Sequence, residues 1–245
     1  MIRVGFTINI TVYILDLLGL TATIDAATGN VLFGGIDTAK FTGDLKRVDV
    51  IPRTDRTGKK TFDRFVVDLA SIAVGDGKCG NTIKSQDFPL PVLVDSGDSF
   101  VRLPDKLFDQ VASNIGASFE KANGFVIPCD FANSGAKVTF QMGGSDGAKI
   151  EVPANQVVIP VNNPDIFASG PNKGKTKCIS GIQGGGNDLA VVGDTFMRSA
   201  YIVYDLVNNQ LAFAQTKFNV TESNIVPFDS MGARIPKSLA IKNAA

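Results

Sequence analysis

The sequence predicts an all-β fold, mainly antiparallel, with one or two short helices. Three observations predict it. Short β-branched segments recur between turn residues along the whole chain. The composition holds 25 Gly and 11 Pro in 245 residues, a level of punctuation that suits strands and turns. Only one stretch repeats its apolar residues at helical spacing. Hydrophobic residues make up 44% and charged residues 20%, a globular balance with core enough for one or two domains.

The elements follow in order. Phe6, Ile8, Ile10, Val12 and Ile14 alternate with Thr7, Asn9, Thr11 and Tyr13, a period of two that predicts a strand. Val31 to Gly35 follows a Thr28-Gly29-Asn30 turn. Phe65 to Leu69 and Ile72 to Val74 form two further short strands. Phe88-Pro89-Leu90-Pro91 leads into Val92-Leu93-Val94, the pattern of an interior strand, and Val138 to Met142 ends at Gly143-Gly144. Pro104 and Asp105 suit the first turn of a helix, Leu107, Phe108, Val111 and Ile115 share one face, and Gly116 ends it. Tyr201 to Asp205 and Leu211 to Gln215 flank Asn208-Asn209, a hairpin whose Asn pair tolerates positive φ. The residues after about Val226 mix Pro, Lys, Ser and Asn and read as a tail.

Charge and residue counts exclude whole classes of function. Lys plus Arg and Asp plus Glu both total 24, so nothing argues for a nucleic-acid partner, which needs a basic face. The chain contains no His, which removes Ser–His and Cys–His nucleophiles and His-ligated metals within it. Neither a metal site nor a cofactor is expected. Acid–base chemistry falls to carboxylates, lysines, tyrosines or cysteines.

The three cysteines, Cys79, Cys129 and Cys178, show no Cys-x-x-Cys spacing. They allow three reduced thiols, or one disulfide with a thiol left over. Asn9-Ile10-Thr11 and Asn219-Val220-Thr221 fit the glycan acceptor pattern, which places the protein outside the cell or at its surface through the secretory pathway. The amino terminus is not a clear signal peptide, because Asn9, Thr11 and Asp16 interrupt its apolar run. No run is long enough to span a bilayer, and the carboxy-terminal residues lack the hydrophobic stretch of a lipid-anchor signal.

Two loops carry candidate chemistry. Gly75-Asp76-Gly77-Lys78-Cys79-Gly80 matches a phosphate-loop pattern, but no helix follows to aim a dipole at an anion. It reads as a hairpin loop, and Gly184-Gly185-Gly186 as a turn. Asp95-Ser96-Gly97-Asp98-Ser99 ends an interior strand with a carboxylate, a hydroxyl and a glycine. Such a turn can hold the carboxylate on backbone amides and hydroxyls. Taken alone, Asp-Ser-Gly also occurs in ordinary surface turns. Here it is followed by Arg102-Leu103-Pro104 and, about a hundred residues on, by Ala190-Val191-Val192-Gly193-Asp194.

Together these residues resemble the carboxy-terminal lobe of the pepsin-like aspartic proteases, particularly the secreted fungal branch. Four stretches carry the resemblance: Val31 to Leu45, Leu90 to Pro104, Cys129 with Cys178, and Val191 to Gln215. The likeness runs from about Asp25 to Phe218 and fades upstream. It implies residues 1–24 as a strand-forming segment, 25–220 as the lobe and 221–245 as a tail. It also implies a proteolytic mechanism in which two Asp carboxyls, one per lobe, share a proton, and one activates water against the peptide carbonyl. Asp95 is then the second-lobe catalytic carboxyl and Ser96 its hydrogen-bonding neighbour across the dyad. Gly97, Asp98 and Ser99 lie against the peptide or protein substrate. Val191-Val192-Gly193 threads beneath the loop, and Cys129 pairs with Cys178.

The pattern departs from the family in two places. The chain has no second Asp-Ser/Thr-Gly motif and no tyrosine in a flap-like hairpin; its tyrosines are Tyr13, Tyr201 and Tyr204. The expectation is a truncated chain holding the second lobe alone and inactive by itself. Its apolar inter-lobe face would seek the missing first lobe or a second copy. Asp98 also stands where the family carries Thr or Ser, so an ionised Asp98 is expected to repel Asp95 and raise its proton affinity. The alternative reading is a secreted, non-catalytic β domain that binds extended peptides by strand pairing.

Overall fold

The computed structural model describes residues 12–16, 30–75 and 80–241. Asn9, Cys79 and the predicted strand residues from Phe6 to Thr11 lie outside the described residues. The rest of that first strand is present as Val12–Asp16.

The described chain is built mostly of strands, and the predicted class holds. Three α-helices and one 3₁₀ turn occur where one or two helices are expected. One sheet runs in the order Asn30–Phe33, Val12–Asp16, Ala200–Asp205, Gln210–Thr216, Phe41–Asp49, Ser238–Ala240. The hairpin at its centre forms as expected: Asp205 faces Gln210, and Asn209 adopts φ 51°. A second sheet runs Ala148–Pro153, Lys137–Met142, Val66–Gly75, Leu90–Val94, Ala190–Val192, Val101–Leu103, Ile182–Gly184. Gly80–Thr82 pairs with Val66–Gly75, with Gly75 opposite Gly80, so the glycine-rich segment joins two antiparallel strands. A smaller sheet joins Ser118–Glu120, Gly124–Pro128, Lys177–Ser180 and Val158–Ile159.

The two strands read around Phe65 to Val74 are one, Val66–Gly75. Its register against Lys137–Met142 shifts between Gln141 and Met142, which face Ser71 and Leu69. Ala70 is left over, and an extra residue reverses the alternation of faces. Val67 and Leu69 before it, and Ile72 and Val74 after it, therefore all point into the core.

The core lies between the large sheets. Val67, Leu69, Val92, Phe140, Val192, Ile202 and Phe213 are wholly buried in one continuous cluster. The helix Asp105–Ile115 packs Leu107, Phe108, Val111, Ala112 and Ile115 onto it and ends at Gly116, φ 73°. Each fully buried large side chain there contributes roughly 1.5–3 kcal/mol. Cys129 and Cys178 form a disulfide with Cα atoms 5.1 Å apart. It ties the 3₁₀ turn Cys129–Asn133 to the strand Lys177–Ser180.

The carboxy-terminal residues are anchored where a tail was expected. Ile225–Pro227 pairs with Gly35–Asp37, and Ser238–Ala240 runs parallel to Leu45–Arg47. Asp37 fastens the first of these. Its carboxylate accepts hydrogen bonds from Ser223 Oγ at 2.6 Å and from the Asn224 amide at 2.7 Å.

Candidate active site

Asp95 leaves the carboxyl end of Leu90–Val94, a strand gripped on both sides. Val66–Leu69 pairs with it antiparallel and Ala190–Val192 pairs with it in parallel. Val92 and Val94 are buried, so the strand is fixed before the loop begins. The Asp95 amide donates to Val192 O at 3.2 Å, and the Asp98 amide donates to Asp95 O at 3.3 Å. The Asp95 side chain is half-buried, and its Oδ1 accepts the Gly97 amide at 2.8 Å. A Cβ on residue 97 would stand 3.1 Å from that same Oδ1. Glycine therefore lets the backbone hold the carboxylate without crowding it. Ser96, Gly97 and Ser99 are exposed and Asp98 is half-buried.

The segment after Val192 braces the loop from below. Gly193 N donates to Phe100 O at 3.0 Å, Asp194 N to Asp98 O at 2.8 Å, and Thr195 N to Ser99 O at 3.2 Å. Thr195 Oγ1 reaches the same Ser99 carbonyl at 2.9 Å. A Cβ at residue 193 would fall 2.2 Å from Asp98 O and 2.6 Å from Phe100 O. The Val191-Val192-Gly193 pattern and the Asp95 loop are thus one unit, closed by backbone hydrogen bonds.

Asp98 does not stand unpaired against Asp95. Its Oδ1 accepts the Phe100 amide at 3.0 Å, and its Oδ2 accepts Arg102 Nε–H at 2.6 Å. Arg102 Nη1 also reaches Gln183 Oε1 at 3.4 Å, and the guanidinium sits over the Phe100 ring, 5.3 Å from its centroid. The guanidinium compensates the negative charge that was expected to repel Asp95. The sequence reading missed this pair. The signal available to it was the opposite charges of Asp98 and Arg102 either side of Phe100, at alternate positions entering the strand Val101–Leu103.

Tyr204 was likewise not singled out. It is buried, with its ring edge-on to Phe65 at 4.8 Å between centroids. Burial pushes its hydroxyl pKa up, and the negative charge of Asp95 pushes it further the same way. The Phe65 carbonyl accepts the Val94 amide at 2.9 Å, so this aromatic pair lies beside the strand end that carries Asp95.

The Asp95 carboxyl is thus half-buried and held on the Gly97 amide, in a loop braced by the segment that follows Val192. The chain belongs to the eukaryotic aspartyl protease family, whose pattern it matches over residues 8–216. That match begins upstream of Asp25, where the sequence reading ended the likeness, in keeping with the pairing of Val12–Asp16 into the main sheet. A "Probable aspartic-type endopeptidase OPSB" of Arthroderma benhamiae is 35% identical over 224 residues, 90% of this chain and 44% of that protein. An "Acid protease" of Saccharomycopsis fibuligera is 29% identical over 79% of this chain and 45% of its own length. "Aspartic proteinase 3" of Saccharomyces cerevisiae is 28% identical over 82% of this chain and 32% of its own. The chain spans less than half the length of these relatives. Among the described residues, no helix is long and apolar enough to cross a membrane.

Proposed function

We propose that this chain supplies one catalytic carboxyl, Asp95, of an aspartic endopeptidase acting on extended peptide or protein substrates. The observation that supports this most is the Asp95 loop itself, a half-buried carboxyl on the Gly97 amide, braced by Val192 to Thr195. In the reaction, the ionised member of a carboxyl pair takes a proton from water as that water attacks the peptide carbonyl carbon. The protonated member gives its proton to the carbonyl oxygen. Ser96 would bridge the pair, and Gly97, Asp98 and Ser99 would line the substrate strand. The second carboxyl comes from a partner lobe outside this sequence or from a second copy, so the chain alone is inactive or active only when associated. Val31 and Phe33, about half exposed on one edge strand, offer an apolar surface to that partner.

A route through the secretory pathway fits the disulfide and the exposed sequon at Asn219, which sits at φ 59° in an open turn. Asn9 is the second proposed glycan acceptor.

The test is digestion of an unfolded protein at acid pH, with and without a statine-type peptide that mimics the tetrahedral intermediate, comparing the chain with Asp95→Asn. Cleavage blocked by the peptide and absent in the variant supports a dyad formed by two copies. Lack of cleavage with peptide binding that depends on Asp95 supports the need for another lobe. Cleavage that survives Asp95→Asn, or neither cleavage nor binding, overturns the proposal. Peptide binding that ignores Asp95 would favour a non-catalytic peptide-binding domain.

A further inference from the structure

The Asp98–Arg102 pair changes what the loop can offer a substrate. A hydroxyl at position 98 would leave the groove neutral there. Asp98 instead holds a guanidinium in place, three residues along from Asp95. Arg102 is fixed on three sides: Asp98 Oδ2 at 2.6 Å on Nε, Gln183 Oε1 at 3.4 Å on Nη1, and the Phe100 ring against the guanidinium at 5.3 Å. Gln183 is itself buried and anchored, its Nε2 donating to Ser180 O at 3.0 Å. The remaining edge of the guanidinium, at Nη2, has no partner among the described residues, and the Arg102 side chain is 37% exposed. Arg102 alternates with the buried Val101 and Leu103. It therefore stands on the face of its strand turned away from those core residues.

We infer that Arg102 is a specificity-determining residue, which selects peptides carrying an Asp or Glu side chain close to the bond presented to Asp95. This deepens the proposed protease reading and rests on it. The geometry favours a carboxylate for two reasons. Arg presents a planar fork matched to carboxylate oxygens. A side chain already immobilised by Asp98, Gln183 and Phe100 loses little further freedom on binding. Asp98 is three residues from Asp95, a span of at most about 10 Å, and the Arg102 guanidinium is held on the Asp98 carboxylate at 2.6 Å. The substrate carboxylate therefore belongs within a few substrate residues of the reacting carbonyl.

The experiment measures binding of fluorescently labelled statine-type peptides to the full chain at pH 5.5, above the ordinary Glu pKa of about 4.3. Peptides come in pairs that differ only by Glu or Gln, scanned over every position around the statine. The expected result is one position where Glu binds about five-fold tighter than Gln, the scale of a partly exposed charged pair. That ratio falls to about one in Arg102→Gln and partly survives in Arg102→Lys. Because Arg102→Gln strips Asp98 of its partner, a second variant, Asp98→Thr with Arg102→Gln, removes both charges and should show the same loss. Equal Glu and Gln binding at every position, with binding still dependent on Asp95, overturns this inference and leaves the protease reading intact. A Glu preference that persists without Arg102 also overturns it. Failure of both peptides to bind overturns the underlying reading and this inference with it.

Discussion

Replacing Gly193 with alanine should unseat the Asp95 loop without touching Asp95. An added Cβ would stand 2.2 Å from Asp98 O and 2.6 Å from Phe100 O. Both are backbone atoms, so no side-chain rotation relieves the overlap. The loop would have to move by about 1 Å to reach ordinary contact, which costs roughly 1–3 kcal/mol of overpacking strain. The same shift stretches three hydrogen bonds: Gly193 N to Phe100 O, Asp194 N to Asp98 O and Thr195 N to Ser99 O. At about 1 kcal/mol each, the total comes to about 4–6 kcal/mol. For a chain of this size that lowers Tm by roughly 15 °C, at about 2–4 °C per kcal/mol. Gly80→Ala is the control, since its Cβ meets nothing among the described residues closer than 3.5 Å, and it should stay within about 0.5 kcal/mol. Thermal unfolding followed by circular dichroism reads both. A Gly193→Ala melt within about 2 °C of the parent would refute the claim that this glycine locks strand and loop together.

Removing the Cys129–Cys178 bridge with alanines at both positions releases a loop of 49 residues. On the chain-entropy account this costs about 4 kcal/mol. Urea unfolding measures it, and a loss under about 1 kcal/mol would contradict a stabilising role. Two carboxyls give opposite pH signatures. Burial raises the Asp37 carboxyl, but the Asn224 amide, the Ser223 hydroxyl, the Ala39 amide and Lys40 together hold it below its usual range. Its contribution is present above pH 3.8 and is lost as acid protonates it. Burial raises Asp68, so its contribution is present below pH 3.8 and is lost as pH rises through its elevated folded value. Asp37→Asn should therefore flatten the fall in Tm below about pH 4. Asp68→Asn should raise Tm at neutral pH and lose that advantage in acid, and the reverse ordering in melts from pH 3 to 7 would refute both assignments.

Local patterns made much of this fold legible. The helix Asp105–Ile115 was readable because Leu107, Phe108, Val111 and Ile115 lie on one face and Gly116 takes the left-handed cap. The Asn208-Asn209 hairpin was readable because its turn chemistry is local. The anchored carboxy-terminal strands were not readable. Ile225 and Leu239 are about half exposed, so no buried face imposes a period, and their partners lie nearly two hundred residues away. The break read between Leu69 and Ile72 was a bulge at Ala70, which mimics a strand end in any test that relies on alternation.

The site divides along the same line, and the division follows from what builds it. Asp95, Gly97 and Gly193 are forced by the backbone. The carboxylate needs the Gly97 amide, a Cβ at 97 would crowd it, and a Cβ at 193 would strike two carbonyls. Constraints of that kind leave residue types at fixed spacings, which is why the Asp-Ser-Gly and Val-Val-Gly segments were visible. The orientation of Asp98 is instead decided by competition between side chains. Read as charge alone, it should repel Asp95. Folded, it meets Arg102 Nε at 2.6 Å and the Phe100 amide at 3.0 Å, because the bend at Ser99-Phe100 leads from Asp98 straight into the strand Val101–Leu103 that carries Arg102. The expected repulsion becomes a compensated ion pair. Removing Arg102 while keeping Asp98 should restore the repulsion, and removing both should not, so the two variants proposed for substrate selection also separate charge from shape at the Asp95 loop.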